Sequence, residues 1–265
     1  MKFFKHLCLQ KLLNNSAMNS KKLLFVITFI LFSFNLFSQV GGISASKLVV
    51  INAETVPANK IEFEPSFGFN VSKNDSLNMS SDFGFRFTYG LNSKTEIGIF
   101  VPLHLNSVNW GIKYQAFNFN KLSLGMIAGI ENALIVNNSK EGKISSLFTS
   151  YAGGIISTYQ FNNKLSIDFS GQFQNHFEAD KIDFNSFLNS EIGYFVSDGL
   201  QLVTGLQYEN HHILNTRENY FTINSGITVE KAKNFILVVN IPYQFKNKYT
   251  SQTIGFLMAL TILID

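Results

Sequence analysis

The sequence predicts a transmembrane β-barrel of about twelve antiparallel strands, preceded by an N-terminal signal peptide. Apolar and polar residues alternate through about twelve segments, each close to the ~9–11 residues that a tilted membrane strand needs. Of the 265 residues, 46% are hydrophobic and only 15% are charged, against about 25% charged in soluble domains. Tight turns also alternate with longer connections, which is typical of outer-membrane barrels, whose turns face the periplasm.

Residues 1–38 are predicted to be a signal peptide. Two lysines precede an apolar run at residues 23–37, and small and polar residues follow it, as in the leader of an exported protein. We place cleavage after Ser38 or Gln39. The run is shorter than the ~20 apolar residues of a membrane-spanning helix; an uncleaved inner-membrane anchor is the competing interpretation. A second methionine precedes the two lysines, so residues 1–17 are either leader or an upstream extension.

Charge and cysteine content exclude several function classes. Five of the 21 basic side chains and none of the 18 acidic ones lie in residues 1–39. The rest of the chain is therefore slightly acidic and lacks the basic field that binding to nucleic acid requires. The single cysteine, Cys8, also lies in the leader. The exported chain consequently has no disulfide, redox pair or cysteine nucleophile.

The first five clear segments place aromatic and aliphatic residues on one face and small or polar residues on the other. The fourth segment changes register at Phe117 and Phe119, which predicts a bulge or a strand end there. The apolar faces comprise Ile61, Phe63, Phe67, Phe69 and Val71; Phe83, Phe85, Phe87, Tyr89 and Leu91; Ile97, Ile99, Val101, Leu103 and Leu105; Trp110, Ile112, Tyr114 and Ala116; and Leu122, Leu124, Met126, Ala128 and Ile130.

The second half of the chain continues the same alternation after a less decided stretch at residues 147–159, where both faces are only mildly apolar. The apolar faces of the later segments comprise Leu165, Ile167, Phe169, Phe173 and Phe177; Phe184, Leu188, Ile192, Tyr194 and Val196; Leu200, Leu202, Leu206 and Tyr208; Phe221, Ile223, Ile227 and Val229; Phe235, Leu237, Val239, Ile241 and Tyr243; and Ile254, Phe256, Met258, Leu260, Ile262 and Ile264.

The connections fall into two classes that alternate along the chain. Asn, Lys, Asp and Gly make the short ones typical hairpin turns, whereas the connection near residues 106–109 is shorter than its place in the order predicts. An even number of strands puts both termini on the periplasmic side. The short connections are residues 92–94, 120–121, 162–164, 197–199 and 230–234, and the longer ones are residues 72–80, 135–143, 176–183, 211–219 and 245–251.

A soluble β-sandwich is the alternative fold, because its strands alternate as well. Its outer face is a charged surface, whereas the face opposite the apolar one here is mostly Gly, Ser, Thr, Asn and Gln. A closed barrel also leaves no strand edge, as lipid demands. One feature counts against a membrane barrel: the chain ends in Asp265 rather than in an aromatic residue.

Two stretches of the N-terminal third resemble a known family. They are Asn52–Phe69, NAETVPANKIEFEPSFGF, and Tyr89–Leu103, YGLNSKTEIGIFVPL. Together they resemble the outer-membrane β-barrel proteins of the MetA-pathway-of-phenol-degradation, or transporter-like, family. The resemblance implies an outer-membrane channel for small solutes, hydrophobic or aromatic ones included.

If the apolar face meets lipid, a set of charged residues lines the lumen. Antiparallel neighbours bring such residues within reach of one another. Two interpretations stay open: a network that braces the barrel, or a constriction that selects solutes. The predicted lumen and constriction residues are Glu62, Glu64, Arg86, Glu96, Lys113, Asp168 and Glu191.

The predicted domain division follows from these assignments. After the signal peptide, residues 39–58 form a lead-in, which either runs free in the periplasm or folds into the lumen as a plug. Residues 59–265 form the barrel. Within the lead-in, Gly41 and Gly42 predict a flexible stretch.

An enzyme is a remote alternative. Some twelve-stranded outer-membrane barrels are phospholipases that use a serine and a histidine. The candidates here are His176 or His211–His212 beside Ser170 or Ser186, and no GxSxG elbow supports them. We expect no catalytic residue, no cofactor and no metal site.

The sequence therefore predicts an exported outer-membrane barrel for passive passage of small solutes through a narrow, weakly acidic lumen. A closed structural barrel is the alternative, and a lipid hydrolase a distant third. The expected partners are outer-membrane lipid, the barrel-assembly machinery and small solutes, and not nucleic acid.

Overall fold

The computed structural model describes residues 40–44, 47–73, 77–136, 144–178, 181–213, 216–232, 234–247 and 251–264. The predicted signal peptide lies outside the described residues. Within the described part, no helix is long and apolar enough to cross a membrane.

The described residues form a closed antiparallel barrel of twelve strands, as the sequence predicts. Each strand pairs with its neighbours in the chain, and the first strand pairs with the last to close the barrel. The strands are β1 (Ile61–Lys73), β2 (Leu77–Asn92), β3 (Thr95–Pro102), β4 (Ser107–Phe119), β5 (Leu122–Val136), β6 (Ile144–Gln160), β7 (Leu165–Glu178), β8 (Lys181–Ser197), β9 (Leu200–Ile213), β10 (Thr216–Ala232), β11 (Phe235–Gln244) and β12 (Gln252–Ile264).

The apolar residues of the strands face outward. Trp110, Met126, Ile155 and Leu202 are among the exposed residues of the outer face, whereas the alternate positions are buried and mostly polar. This distribution is the reverse of a soluble domain, because lipid rather than water surrounds the outer face. Polar side chains that point inward can bond to one another or to anything that enters the lumen.

Two ends of the barrel differ in their connections. At the turn end, strands are joined by tight turns such as residues 93–94 and 120–121, where Asn120 adopts φ 52°. At the loop end, most strands reach further than predicted: β7 runs to Glu178 and β8 begins at Lys181. The predicted loop at residues 176–183 thus shrinks to two residues. The backbone pairing of β7 with β8 continues past the last apolar residues to Glu178 and Lys181, because main-chain hydrogen bonds between strands do not require apolar side chains.

The register of β4 and the end of β3 show where the alternation in the sequence predicts the strands correctly and where it does not. The pairing of β4 with β5 shifts between Gln115 and Phe117, so the predicted bulge is present. The prediction for the third segment was wrong at its end, because β3 stops at Pro102. Leu105 adopts a left-handed φ of 47°, and its amide donates to the Pro102 carbonyl oxygen at 2.9 Å. Proline and this turn end the strand despite the apolar alternation.

Candidate functional site

The lumen holds all seven of the charged residues that the sequence places there. They fall into three groups on the inner face, and all are largely or fully buried. The first group is Glu62, Glu64 and Arg86; the second is Glu96 and Lys113; the third is Asp168 and Glu191. Their role as a constriction stays a prediction.

The first group ties the strands at which the barrel closes. The Nη2 atom of Arg86 lies 2.6 Å from Glu64 Oε2 and 3.0 Å from Glu62 Oε1. On the other side, the Thr261 hydroxyl donates to Glu64 Oε2 at 2.6 Å. The network therefore spans β12, β1 and β2. Multiple charge-assisted bonds of this kind compensate for the burial of the charges, and this group fits the bracing interpretation.

The second and third groups bind a separate piece of chain that lies inside the barrel. We call residues 40–44 and 47–56 the lumenal segment. Its residues Val50 and Ala53 are fully buried, and its contacts reach strands from β2 to β12. Residues 57–60 then lead to the start of β1, where the Asn59 amide donates to the Gly90 carbonyl oxygen at 2.8 Å.

Glu96 and Lys113 hold the two ends of this segment. The Glu96 carboxylate lies 3.2 Å from Lys113 Nζ, and both side chains are fully buried. The same carboxylate accepts from the amide of Ser44 at 2.8 Å and from the amide of Val56 at 2.7 Å. Lys113 Nζ donates to the Ser44 carbonyl oxygen at 3.1 Å. One ion pair of the barrel wall thus fixes positions 44 and 56 together.

Asp168 and Glu191 hold the middle of the segment. Lys47 Nζ, which belongs to the segment, lies 2.6 Å from Asp168 Oδ2. The amides of Leu48 and Val49 donate to the two oxygens of Glu191 at 3.2 and 2.7 Å. Asp168 and Glu191 pair directly across β7 and β8. Two neighbouring carboxylates would repel each other, and Lys47 supplies a positive charge at this point.

A row of glycines gives the segment room. Gly98, Gly111 and Gly129 lie side by side on β3, β4 and β5. A Cβ atom at Gly98 would lie 1.7 Å from the Gly42 carbonyl oxygen, and one at Gly111 would lie 2.3 Å from the Gly41 carbonyl oxygen. Gly42 itself adopts φ 82°, which favours glycine. The glycines of wall and segment therefore permit backbone-to-backbone approach.

Apolar side chains complete the packing of the segment. Val40, Ile43 and Ile51 form a buried cluster with Ile127 and Ile156 of the wall. Leu48 packs in a second cluster, whose wall residues are Val203, Val238 and Ala259. These inward-facing aliphatic residues lie in a lumen whose other buried residues are mostly polar. They mark the surface on which the segment packs.

The loop half of the lumen has a different character. An added Cβ at Gly68 would meet no atom within 4 Å, so the space is open there. Its charged residues bond to near neighbours: Glu131 accepts from the Ser150 hydroxyl at 3.1 Å, and Glu209 Oε2 lies 2.8 Å from His211 Nε2. This half is a polar vestibule above the lumenal segment.

The hydrolase candidates are arranged differently from a Ser–His pair. His211 contacts Glu209, and its ring packs against Phe187 and Tyr220. The Ser170 hydroxyl accepts from the Asn189 side chain at 3.2 Å.

His176 is the other histidine proposed as a partner of Ser170. It lies six residues from Ser170 on β7, a separation of about 20 Å along a strand.

Sequence reasoning missed Ser44, Lys47 and the match between Gly41–Gly42 and the wall glycines. One signal could have found them. Asp168 and Glu191 are inward-facing acids at paired positions of neighbouring strands, and two such acids favour a nearby cation. Lys47 is the only basic residue of the predicted lead-in, residues 39–58.

The comparisons with known proteins bear on the fold. No protein-family model matches this sequence, and no curated protein is similar to it. An outer membrane channel from Pseudomonas putida F1 is similar in structure, with TM-score 0.53, 10% identity, and coverage of 80% of this chain and 98% of that one. The NanC porin is similar with TM-score 0.54, 7% identity, and coverage of 76% and 98%. The fold is that of an outer-membrane β-barrel.

Proposed function

We propose that this protein is an outer-membrane channel for passive passage of small solutes, and that the lumenal segment closes it. One observation carries the proposal. The lumen of this twelve-stranded barrel is filled at the turn end by a separate segment rather than by side chains of the wall. The segment is held by Glu96, Asp168 and Glu191, which accept from its amides and from Lys47.

This filling differs from that of a purely structural barrel. In small barrels the side chains of the strands themselves fill the interior. Here the wall has a row of glycines whose missing side chains leave space for the segment. The segment continues into β1 at its C-terminal end only. Displacing the segment from its polar and apolar contacts would clear the turn half of the lumen without breaking a strand pairing. The similar P. putida protein is a channel and NanC is a porin. Both names support the proposal that this barrel is a channel.

The lining favours small polar solutes. In the loop half, Glu131, Glu209 and Glu218 face a lumen whose other residues are largely Ser, Thr, Asn and Gln. Carboxylate-lined pores favour cations over anions. Hydrophobic or aromatic solutes, which the family resemblance implies, would find few apolar side chains in the vestibule. We therefore expect weak cation selectivity once the segment is displaced.

A closed structural barrel is the second candidate. It is favoured by the full burial of the Glu96–Lys113 pair, because such a pair is costly to separate. In this case the segment would be a permanent core. We expect insertion by the barrel-assembly machinery in either case, with the turns on the periplasmic side and the leader removed.

Single-channel conductance in planar bilayers separates the candidates. We would compare residues 39–265 with the same chain lacking residues 40–56, after confirming that both are folded by heat-modifiable gel mobility. The channel proposal predicts rare, small conductance steps for the longer chain and large, stable steps for the shortened one. A longer chain that is folded and never conducts would establish the structural barrel instead, even if the shortened chain conducts.

A further inference from the structure

The inward-facing side chains of β1 are more accessible than those of the other described strands. On each of the other strands at least one inward residue is buried, whereas every inward residue of β1 is partly exposed. These residues run without interruption from the turn end of the strand to its loop end. We call them the β1 stripe, which consists of Glu62, Glu64, Ser66, Gly68, Asn70 and Ser72.

The lumenal segment contacts the strands on both sides of β1. On β2, the Thr88 hydroxyl donates to the Gly42 carbonyl oxygen at 3.1 Å, and on β12, Ala259 packs with Leu48 of the segment. Within the stripe, an added Cβ at Gly68 would meet no atom within 4 Å. The β1 stripe therefore stays accessible between the two edges of the segment.

The first charged group lies at the turn end of the β1 stripe. Side-chain exposure is 14% for Glu62, 12% for Glu64 and 10% for Arg86, whereas the side chains of Glu96 and Lys113 are not exposed at all. Solvent thus reaches the first group but not the ion pair that holds the segment. Because Arg86 extends from β2 to both glutamates of β1, its guanidinium stands across the end of the stripe.

The guanidinium of Arg86 is held to β1 through one nitrogen. Nη2 makes both contacts, at 2.6 Å with Glu64 and 3.0 Å with Glu62, and Nε is buried without a hydrogen-bond partner among the described residues. A bidentate pair, with parallel bonds from two nitrogens, fixes a guanidinium more firmly. Rotation of the Arg86 side chain would therefore open the end of the stripe without breaking a strand pairing.

We propose that small cations pass the lumenal segment along the β1 stripe and that Arg86 gates this path. The inference rests on the proposed function, because it assigns the rare, small conductance steps of the longer chain to this path. Two carboxylates face one guanidinium at the narrow end, so negative charge is in excess there and favours cations. A cation takes the place of the guanidinium between Glu62 and Glu64 when Arg86 rotates away, and the return of Arg86 closes the path.

Two serines form a matched pair for locating the path. Ser66 on β1 and Ser170 on β7 face inward, and each lies five residues beyond the first residue of its strand at the turn end. Ser66 is partly exposed, whereas Ser170 is fully buried. Each would be changed to cysteine in residues 39–265, which contain no other cysteine, and treated with a small cationic methanethiosulfonate reagent.

We expect rapid modification of Ser66→Cys and loss of the small conductance steps once it is modified, because the added group obstructs the path. Ser170→Cys should stay unmodified and keep its small steps. It should become reactive when residues 40–56 are deleted, which would show that the reagent can reach this level of the wall. Both variants are first shown to be folded by heat-modifiable gel mobility.

A second pair of variants tests the gate. Arg86→Ala removes two charge-assisted bonds and should raise the frequency of the small steps by about tenfold or more. It should also shift their reversal potential toward greater cation selectivity. Arg217→Ala, at an exposed position near the loop end of β10, should change neither property. If Arg86→Ala does not fold, the two serine positions still decide the path.

Several results would overturn this inference and leave the channel proposal standing. They are small steps that persist after complete modification of Ser66→Cys, failure of the reagent to modify that variant, and anion selectivity of the small steps. A longer chain that never conducts would instead overturn the proposed function, and the path along β1 with it.

Discussion

The two halves of the lumen are built from similar strands but are filled in different ways. In the turn half, Glu96, Lys113, Asp168 and Glu191 are fully buried, and each of them binds the lumenal segment. In the loop half, charged residues bond to near neighbours on the same or the adjacent strand, and the space beside Gly68 is open. Strand alternation alone places a residue in the lumen. What it binds there depends on a segment outside the barrel sequence.

The largest effect should come from Glu96, because one carboxylate holds Ser44, Val56 and Lys113. Glu96→Gln leaves the Lys113 charge buried without its ion-pair partner, which costs about 3–5 kcal/mol. We expect this loss in the free energy of unfolding, measured by urea titration of the reconstituted barrel. Glu131→Gln in the loop half is the matched control, and an equally large loss there would remove the distinction between the halves.

The next effect tests which face is inside. Ile99→Arg places a charge on the lipid face and should cost about 2–4 kcal/mol near the midplane, and Phe85→Arg should behave alike. Ser123→Arg, on the lumen side of β5, should be mild. The free energy of unfolding in lipid vesicles reports all three. If both faces tolerated arginine equally, the inward and outward assignments would be wrong.

A smaller effect should separate two glycines that both face inward. Gly98→Ala puts a methyl group against the Gly42 carbonyl oxygen, and overpacking of this kind costs about 1–3 kcal/mol. Gly68→Ala meets open space and should be neutral. We also expect Gly98→Ala to raise the frequency of conductance steps, since the segment is the part able to move. Identical behaviour of the two variants would contradict the packing of the segment on the glycine row.

The smallest effect should arise in the vestibule. Glu209→Gln removes one partly exposed charge beside His211, so stability should change by less than about 1 kcal/mol. The reversal potential of the open, shortened channel should shift toward lower cation selectivity. An unchanged reversal potential would remove Glu209 from the solute path.

The sequence predicted the wall well and its filling poorly. Alternation at positions such as Phe85 and Phe87 is local, so strand number, facing and the bulge at Gln115 could be predicted. The end of β3 was wrong because proline and the turn at Leu105 override apolar alternation. Lys47 and Asp168 are 121 residues apart, and no periodicity connects a segment without regular structure to a barrel wall.

Cysteine accessibility reports directly on whether the lumenal segment fills the turn half, because the chain after residue 38 has no cysteine of its own. Gly68→Cys reports on the loop half. Thr88→Cys reports on the turn half, where the Thr88 hydroxyl now donates to the Gly42 carbonyl oxygen at 3.1 Å. Both variants would be treated with a membrane-impermeant thiol reagent, with and without residues 40–56. We expect fast labelling at position 68 throughout, and labelling at position 88 only after the segment is removed. Equal labelling of the two positions in the full mature chain, or protection at position 88 that persists without the segment, would contradict it.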